Sequence, residues 1–158
     1  MITRQTRDFW KATIALGSAS ILMFENINFR QPLLPLFTKE FNISETTAAL
    51  TISVSLFVLG FSFFTYTSLS DAYGRRNIIF IAMILGMIGT VAISISPTFE
   101  VLLIARIFQA IALAGIPVAA MAYISEEFDM KAMAIAVGLY ISCNSFGGLG
   151  GRVLSGVL

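Results

Sequence analysis

Five stretches of this chain, at about 9–35, 46–69, 77–95, 101–124 and 132–156, are apolar over roughly the length of a membrane-spanning helix, and only short polar segments separate them. The hydrocarbon core of a bilayer is about 30 Å thick, and a helix needs about 20 mostly apolar residues to cross it. Backbone amides must be paired there, so a lone stretch of this kind folds as a helix. A water-soluble fold is disfavoured by composition. The 158 residues are 57% hydrophobic and 12% charged, whereas soluble domains are about 25% charged. The expected fold is an all-α integral membrane protein, with five transmembrane helices forming one partial bundle over 1–158.

The same composition excludes several functions. The formal net charge is +1, too small for nucleic-acid binding. With no histidine and one cysteine, Cys143, the chain has neither Ser-His-Asp nor Cys-His catalysis, no histidine metal site and no internal disulfide. No phosphate loop, zinc spacing, nucleophile elbow or dinucleotide fingerprint is present. The chain is therefore expected not to be an enzyme and to need no cofactor or metal. Arg4, Arg7 and Lys11 precede the first apolar run as in a signal peptide, but no small-residue cleavage site closes that run before Glu25. The first helix is expected to be retained, and Pro32 and Pro35 to bend or end it. Asn42 with Glu45, or Ser44 itself, is a plausible N-cap for the second.

Lys and Arg in short loops set orientation. A cytoplasmic N-terminus places Arg4, Arg7, Lys11, Arg75, Arg76 and Lys131 inside, and Arg30 and Lys39 outside, with Arg152 added if it lies at the outer end of span five. The expectation is a multi-pass cell-membrane protein with its N-terminus in the cytoplasm. The sequence stops at Leu158 with nothing polar after the fifth span, so the bundle is expected to be incomplete.

The turn after the second span reads Leu69-Ser70-Asp71-Ala72-Tyr73-Gly74-Arg75-Arg76-Asn77-Ile78-Ile79. Gly74 can take the backbone conformation that a tight reversal needs, Arg75 and Arg76 hold the loop in the cytoplasm, and Asp71 can pair with them or with a helix end. An ordinary positive-inside hairpin has these features too. Their order resembles the signature G-x-L-A-D-R-x-G-R-R/K-x-x-L/I of the major facilitator superfamily. Leu69, Asp71, Gly74, Arg75, Arg76 and Ile79 match, while Thr67, Ser70 and Ala72 replace glycine, alanine and arginine. In span four, Leu102-x-x-x-Arg106-x-x-Gln109 is similar to that family's L-x-x-x-R-x-x-Q-G, with Ala110 in place of the glycine.

Arg106 is a costly residue within a span and faces either a cavity, a partner or, by snorkelling, the interface. Glu25 is the other embedded charge, near Asn26 and Asn28. A count along the two spans places Glu25 and Arg106 in the same half of the membrane, within about two turns in depth. An ion pair between them would keep the carboxylate ionised until a proton or cationic substrate competes for it. Glu25 is therefore the candidate proton or cation site and Arg106 the group that tunes it. The alternative is a Glu25–Arg30 pair at the mouth that couples nothing.

Span five carries Gly147, Gly151 and Ser155 at four-residue spacing, a flat face suited to close helix packing. Of the family's antiporter signature g-x-x-x-G-P-x-x-G-G it keeps only Gly150 and Gly151, so antiport is not inferred from it. This region, the 31–35 stretch and Ser125-Glu126-Glu127 resemble bacterial efflux-type permeases of the superfamily. Gln109, Asn144 and Arg152 are pathway or packing candidates, and Asn144 can equally bond across helices. Phenylalanines and methionines are expected to face lipid or pack.

The resemblance implies an N-terminal bundle, normally six helices built as two inverted three-helix repeats and paired with a second six-helix half. This chain would supply helices one to five. It further implies alternating-access transport of a small solute, by proton-coupled efflux, with the lipid bilayer, protons, a small-molecule substrate and the missing C-terminal half as partners. The alternative from another class is a small helical membrane protein that assembles with or regulates others.

Overall fold

The computed structural model describes residues 2–28 and 34–157, with 155 and 157 as backbone only. Among these, the chain forms α1 (Arg7–Asn28), α2 (Leu34–Glu40), α3 (Glu45–Tyr73), α4 (Arg75–Ser94), α5 (Phe99–Glu127) and α6 (Met130–Val157). Four helices among the described residues are long and apolar enough to cross a bilayer: α3, α4, α5 and the 130–154 part of α6. The expected count of five is thereby corrected. The helix that falls short is α1, whose apolar run is diluted by Lys11, Glu25, Asn26 and Asn28. Arg30, Gln31, Pro32 and Leu33 lie outside the described residues. Pro35 is the second residue of α2, where a missing N–H costs nothing.

Capping explains the helix boundaries. The Ser44 hydroxyl accepts from Thr47 N and starts α3. Thr98 accepts from Val101 N and starts α5. Asp129 Oδ1 accepts from Ala132 N at 2.7 Å and starts α6. Each supplies an acceptor to an amide that has none within its helix. Gly74, at φ 86°, ends α3 and begins α4 in one residue.

α5 is the axis of the bundle. Of its spanning window 56% is buried, against 22% in each of α3, α4 and α6. It packs against α4 and α3, while α1 packs against α6. The helices α1, α4 and α6 begin at one end, where α3 and α5 finish; this is called the Arg75 end, and the other the Arg106 end.

Polarity is arranged for an apolar solvent. Phe57, Phe61 and Phe64 form one exposed stripe along α3, and Phe80, Met87 and Val91 are exposed on α4. The buried face of α3 is instead small and hydroxylated: Ala48, Thr51, Ser55, Ser62 and Ser70. Thr51, Ser55 and Ser62 donate to carbonyls of their own helix, Ala48 O, Thr51 O and Val58 O. A face of this kind lets backbones come close where lipid supplies no hydrophobic drive between helices.

Glycines mark the closest approaches. A Cβ on Gly147 would lie 2.5 Å from Ile21 O, and one on Gly89 3.1 Å from Gln109 Cα. The α1–α6 and α4–α5 seams therefore close backbone to backbone, as the glycine spacing in span five leads one to expect for Gly147. Gly151 is buried, and the Ser155 side chain lies outside the described residues.

Candidate functional site

At the Arg106 end, α1, α2, α4 and α5 enclose a cavity of about 570 Å³ whose wall includes Glu25, Asn26, Thr90, Arg106 and Gln109. Glu25 and Arg106, placed at similar depth by the sequence, do line one cavity. Phe37 and Glu40 of α2, and Phe41 just after it, line it as well. Glu25 is half-buried, whereas Arg106 and Gln109 are buried.

The expected Glu25–Arg106 ion pair is not among those formed by the described residues, which join Lys11 to Asp8 and Arg75 to Asp71 and Glu126. Arg106 Nη1 lies 3.5 Å from Gln109 Oε1, one turn along its own helix. The Gln109 carboxamide also reaches two other helices. Its Nε2 donates to Asn26 Oδ1 of α1 at 3.1 Å and to Thr90 Oγ1 of α4 at 2.8 Å. Gly89, beside Thr90, brings α4 close enough for that bond. Arg30, the alternative partner for Glu25, lies outside the described residues.

At the Arg75 end the signature turn forms a compact ionic cluster. Arg75 ion-pairs with Asp71, one turn back across the Gly74 junction. It also takes Glu126 through two bonds, Nη2 to Oε1 at 2.6 Å and Nε to Oε2 at 3.2 Å. The planar guanidinium matches two carboxylate oxygens at once. Asp71 thus pairs within the turn, with one of the two kinds of partner that the sequence left open. The contact with Glu126 ties α4 to the end of α5, 51 positions away. Arg76 and Leu69 are exposed. Thr67 is exposed and donates to Phe63 O of its own helix.

A strap lies beside this cluster. Ile2 N donates to Glu127 O at 2.5 Å, and Asp129 N donates to Ile2 O at 3.1 Å. Beneath it Phe9, fully buried, meets Phe128 edge-on with ring centroids 5.5 Å apart. On the α1–α6 seam Ser20 donates to Asn144, so Asn144 bonds across helices. Gly147 packs on the same seam, while Arg152 is exposed.

Sequence reasoning missed Thr90, the α2 residues, Glu126 as a partner and Ile2. Glu126 stood out only by resemblance, and an isolated threonine in an apolar span gives no signal. Asn26 was visible as a neighbour of Glu25.

Comparison with known proteins places these features in context. A sequence model of the Major Facilitator Superfamily matches residues 14–158. The chain is 40% identical, over 99% of its length, to an uncharacterised MFS-type transporter of Bacillus subtilis, YybF. It is 35% identical over 99% of its length to the inner membrane transport protein YnfM of Escherichia coli. It is 30% identical over 92% of its length to the multidrug resistance protein Stp of Mycobacterium tuberculosis. The chain spans 39%, 37% and 27% of those three relatives, respectively.

Proposed function

The chain belongs to the major facilitator superfamily, and from that membership we propose that it is part of a transporter moving a small solute across the cell membrane by alternating access. The bundle described above is one wall of that machine, and the chain spans only about two fifths of the first two relatives. The N-terminus is cytoplasmic, so the Arg75 end faces the cytoplasm and the Arg106 end faces outward. Transport by export, driven by protons, is the reading that the site favours, and relatives named as transporters favour it over an assembly protein.

The observation that carries the proton reading is the cavity shared by Glu25 and Arg106. Glu25 is half-buried and faces the same cavity as the buried Arg106, which places a carboxylate where the pathway can reach it as access alternates. The ionic cluster at the other end suits a gate. Arg75 holds α4 to α5 through Glu126, and its release frees the inner ends of the helices. The remainder of the pathway lies in the second wall, so residues 1–158 alone in liposomes give no substrate-dependent flux.

The test is Glu25→Gln in the full-length gene product, assayed in inverted vesicles with an imposed proton gradient. The expected result is loss of gradient-driven transport with normal insertion. Gradient-driven transport that continues unchanged rules out the assignment of Glu25.

A further inference from the structure

We infer that the N-terminal strap, residues 2–6, is a positioning element for the inner gate: by capping the end of α5 through Ile2, it holds Glu126 where Arg75 can grip it. The inference rests on the reading of the Arg75–Glu126 contact as part of a gate.

The end of α5 lacks the features that close a helix on its own. The last carbonyls of any helix have no amide within it to bond, and a left-handed glycine commonly ends the final turn. Here Ser125-Glu126-Glu127-Phe128-Asp129 holds no glycine. Phe128 instead leaves the helix extended, at φ −96° and ψ 147°. The last turn carries Glu126 and Glu127 and no basic residue. Carboxylates at that position face the negative end of the helix dipole and loosen the turn.

Two groups from elsewhere in the chain supply what is missing. Arg75 takes the Glu126 carboxylate. The Ile2 amide donates to the Glu127 carbonyl at 2.5 Å, and the Ile2 carbonyl accepts from Asp129 N at 3.1 Å. Together these bonds make a short parallel bridge between Ile2 and Phe128, which the extended backbone of Phe128 allows. The strap is anchored at both of its ends. Ile2 packs on the cluster that contains Phe9, Ile124 and Phe128. The Thr6 carbonyl accepts from Phe9 N at 3.2 Å and leads into α1.

Glu126 is exposed, so packing does little to aim its side chain. Its direction follows from the backbone of the last turn of α5, which the helix holds on one side and the strap on the other. Elsewhere α1 and α5 meet sparingly, because α1 packs mainly on α6 and α5 on α3 and α4. The strap is therefore a direct connection from the start of α1 to the gate. One net backbone hydrogen bond shifts an equilibrium by a factor of about 2–12. Loss of the Ile2 bonds thus frays the last turn of α5 without dissolving the buried cluster beneath it.

The experiment uses the full-length gene product with residues 2–5 deleted or, separately, with Ile2→Asp, which puts a charge where a partly buried apolar side chain stands. Two quantities are read. The first is amide hydrogen exchange over residues 123–128, with residues 50–65 of α3 as the internal reference. The second is the coupling of Arg75→Ala and Glu126→Ala in a double-mutant cycle over initial transport rates, run with and without each strap change. Both strap variants are expected to speed exchange over 123–128 by about threefold or more, to leave α3 unchanged, and to reduce the coupling by a similar factor. A strap that only adds stability lowers all four rates of the cycle by one factor and leaves the coupling as it was, which overturns the inference. Unchanged exchange over 123–128 overturns it as well. If the deletion does not insert, Ile2→Asp is judged alone by the same two readings. Failure of both to insert also overturns it, because the strap is then needed for assembly and not for positioning. A wild type without coupling between Arg75 and Glu126 removes the gate reading and this inference together. Wild-type coupling that survives in both variants removes only the inference.

Discussion

Arg75 and Glu126, 51 positions apart in the chain, meet through two hydrogen bonds at the end of the bundle where α3 and α5 finish. Three separate segments depend on the stretch that Glu126 begins. Glu127 and Asp129 bind the Ile2 backbone, and Asp129 caps α6. The signature turn, the N-terminal strap and the start of α6 are therefore fastened at one place.

The Arg75–Glu126 contact predicts a charge-reversal pattern. Arg75→Glu and Glu126→Arg should each lower transport by the full-length gene product, and the double variant should regain part of it. The double-mutant cycle over initial rates isolates the pair term. Two independent losses that simply multiply would show no coupling. Arg75→Lys should lose activity as well, because an ammonium cannot make the forked contact.

Gly147 should tolerate no side chain. In Gly147→Ala the new Cβ would meet Ile21 O at 2.5 Å, and overpacking of this kind costs about 1–3 kcal/mol. Gly150, with open space around the corresponding position, provides the control. Denaturation by SDS in mixed micelles should show Gly147→Ala unfolding earlier than Gly150→Ala.

Gly74 is constrained by backbone rather than by space. A Cβ there would touch nothing within 4 Å, yet φ is 86°. The strain of Gly74→Ala is expected at about 1–3 kcal/mol, read in the same denaturation assay. A variant as stable as wild type would mean that α3 and α4 can be joined by a different turn.

Asn144 bonds to Ser20 across the α1–α6 seam. Interhelical hydrogen bonds in membranes average about 0.6 kcal/mol, so Asn144→Val should destabilise the bundle modestly. Ser20→Ala should give the same loss, and adding it to Asn144→Val should cost little more. A large loss of transport at unchanged stability would instead give Asn144 a role in the pathway.

A cytoplasmic Arg75 end predicts labelling from one side. With Cys143→Ser as background, Arg76→Cys should react with an impermeant maleimide in inverted vesicles and not in intact cells. Reaction in intact cells would reverse the proposed orientation.

The class of solvent, the α3, α4, α5 and α6 spans, the turn at Gly74 and the family are all legible in the order of residues. These follow from short-range chemistry. Apolar run length decides what can sit in a bilayer, and a glycine between an apolar helix end and two arginines leaves few local conformations. The sequence-based count of five spans exceeds the four found among the described residues, where polar residues near the end of α1 keep that helix below the apolarity of a span.

Which polar groups meet depends on how the helices pack. Asn26, Thr90 and Gln109 come from three helices, and nothing in their spacing along the chain brings them together. Helix rotation does, and that is set by close approaches at Gly89 and Gly147. For the same reason Glu25 and Arg106 were placed at one depth but paired too readily. Depth along a span can be counted from sequence at a fixed rise per residue. The direction a side chain faces, and the neighbour that takes its hydrogen bond first, depend on contacts among all the helices at once.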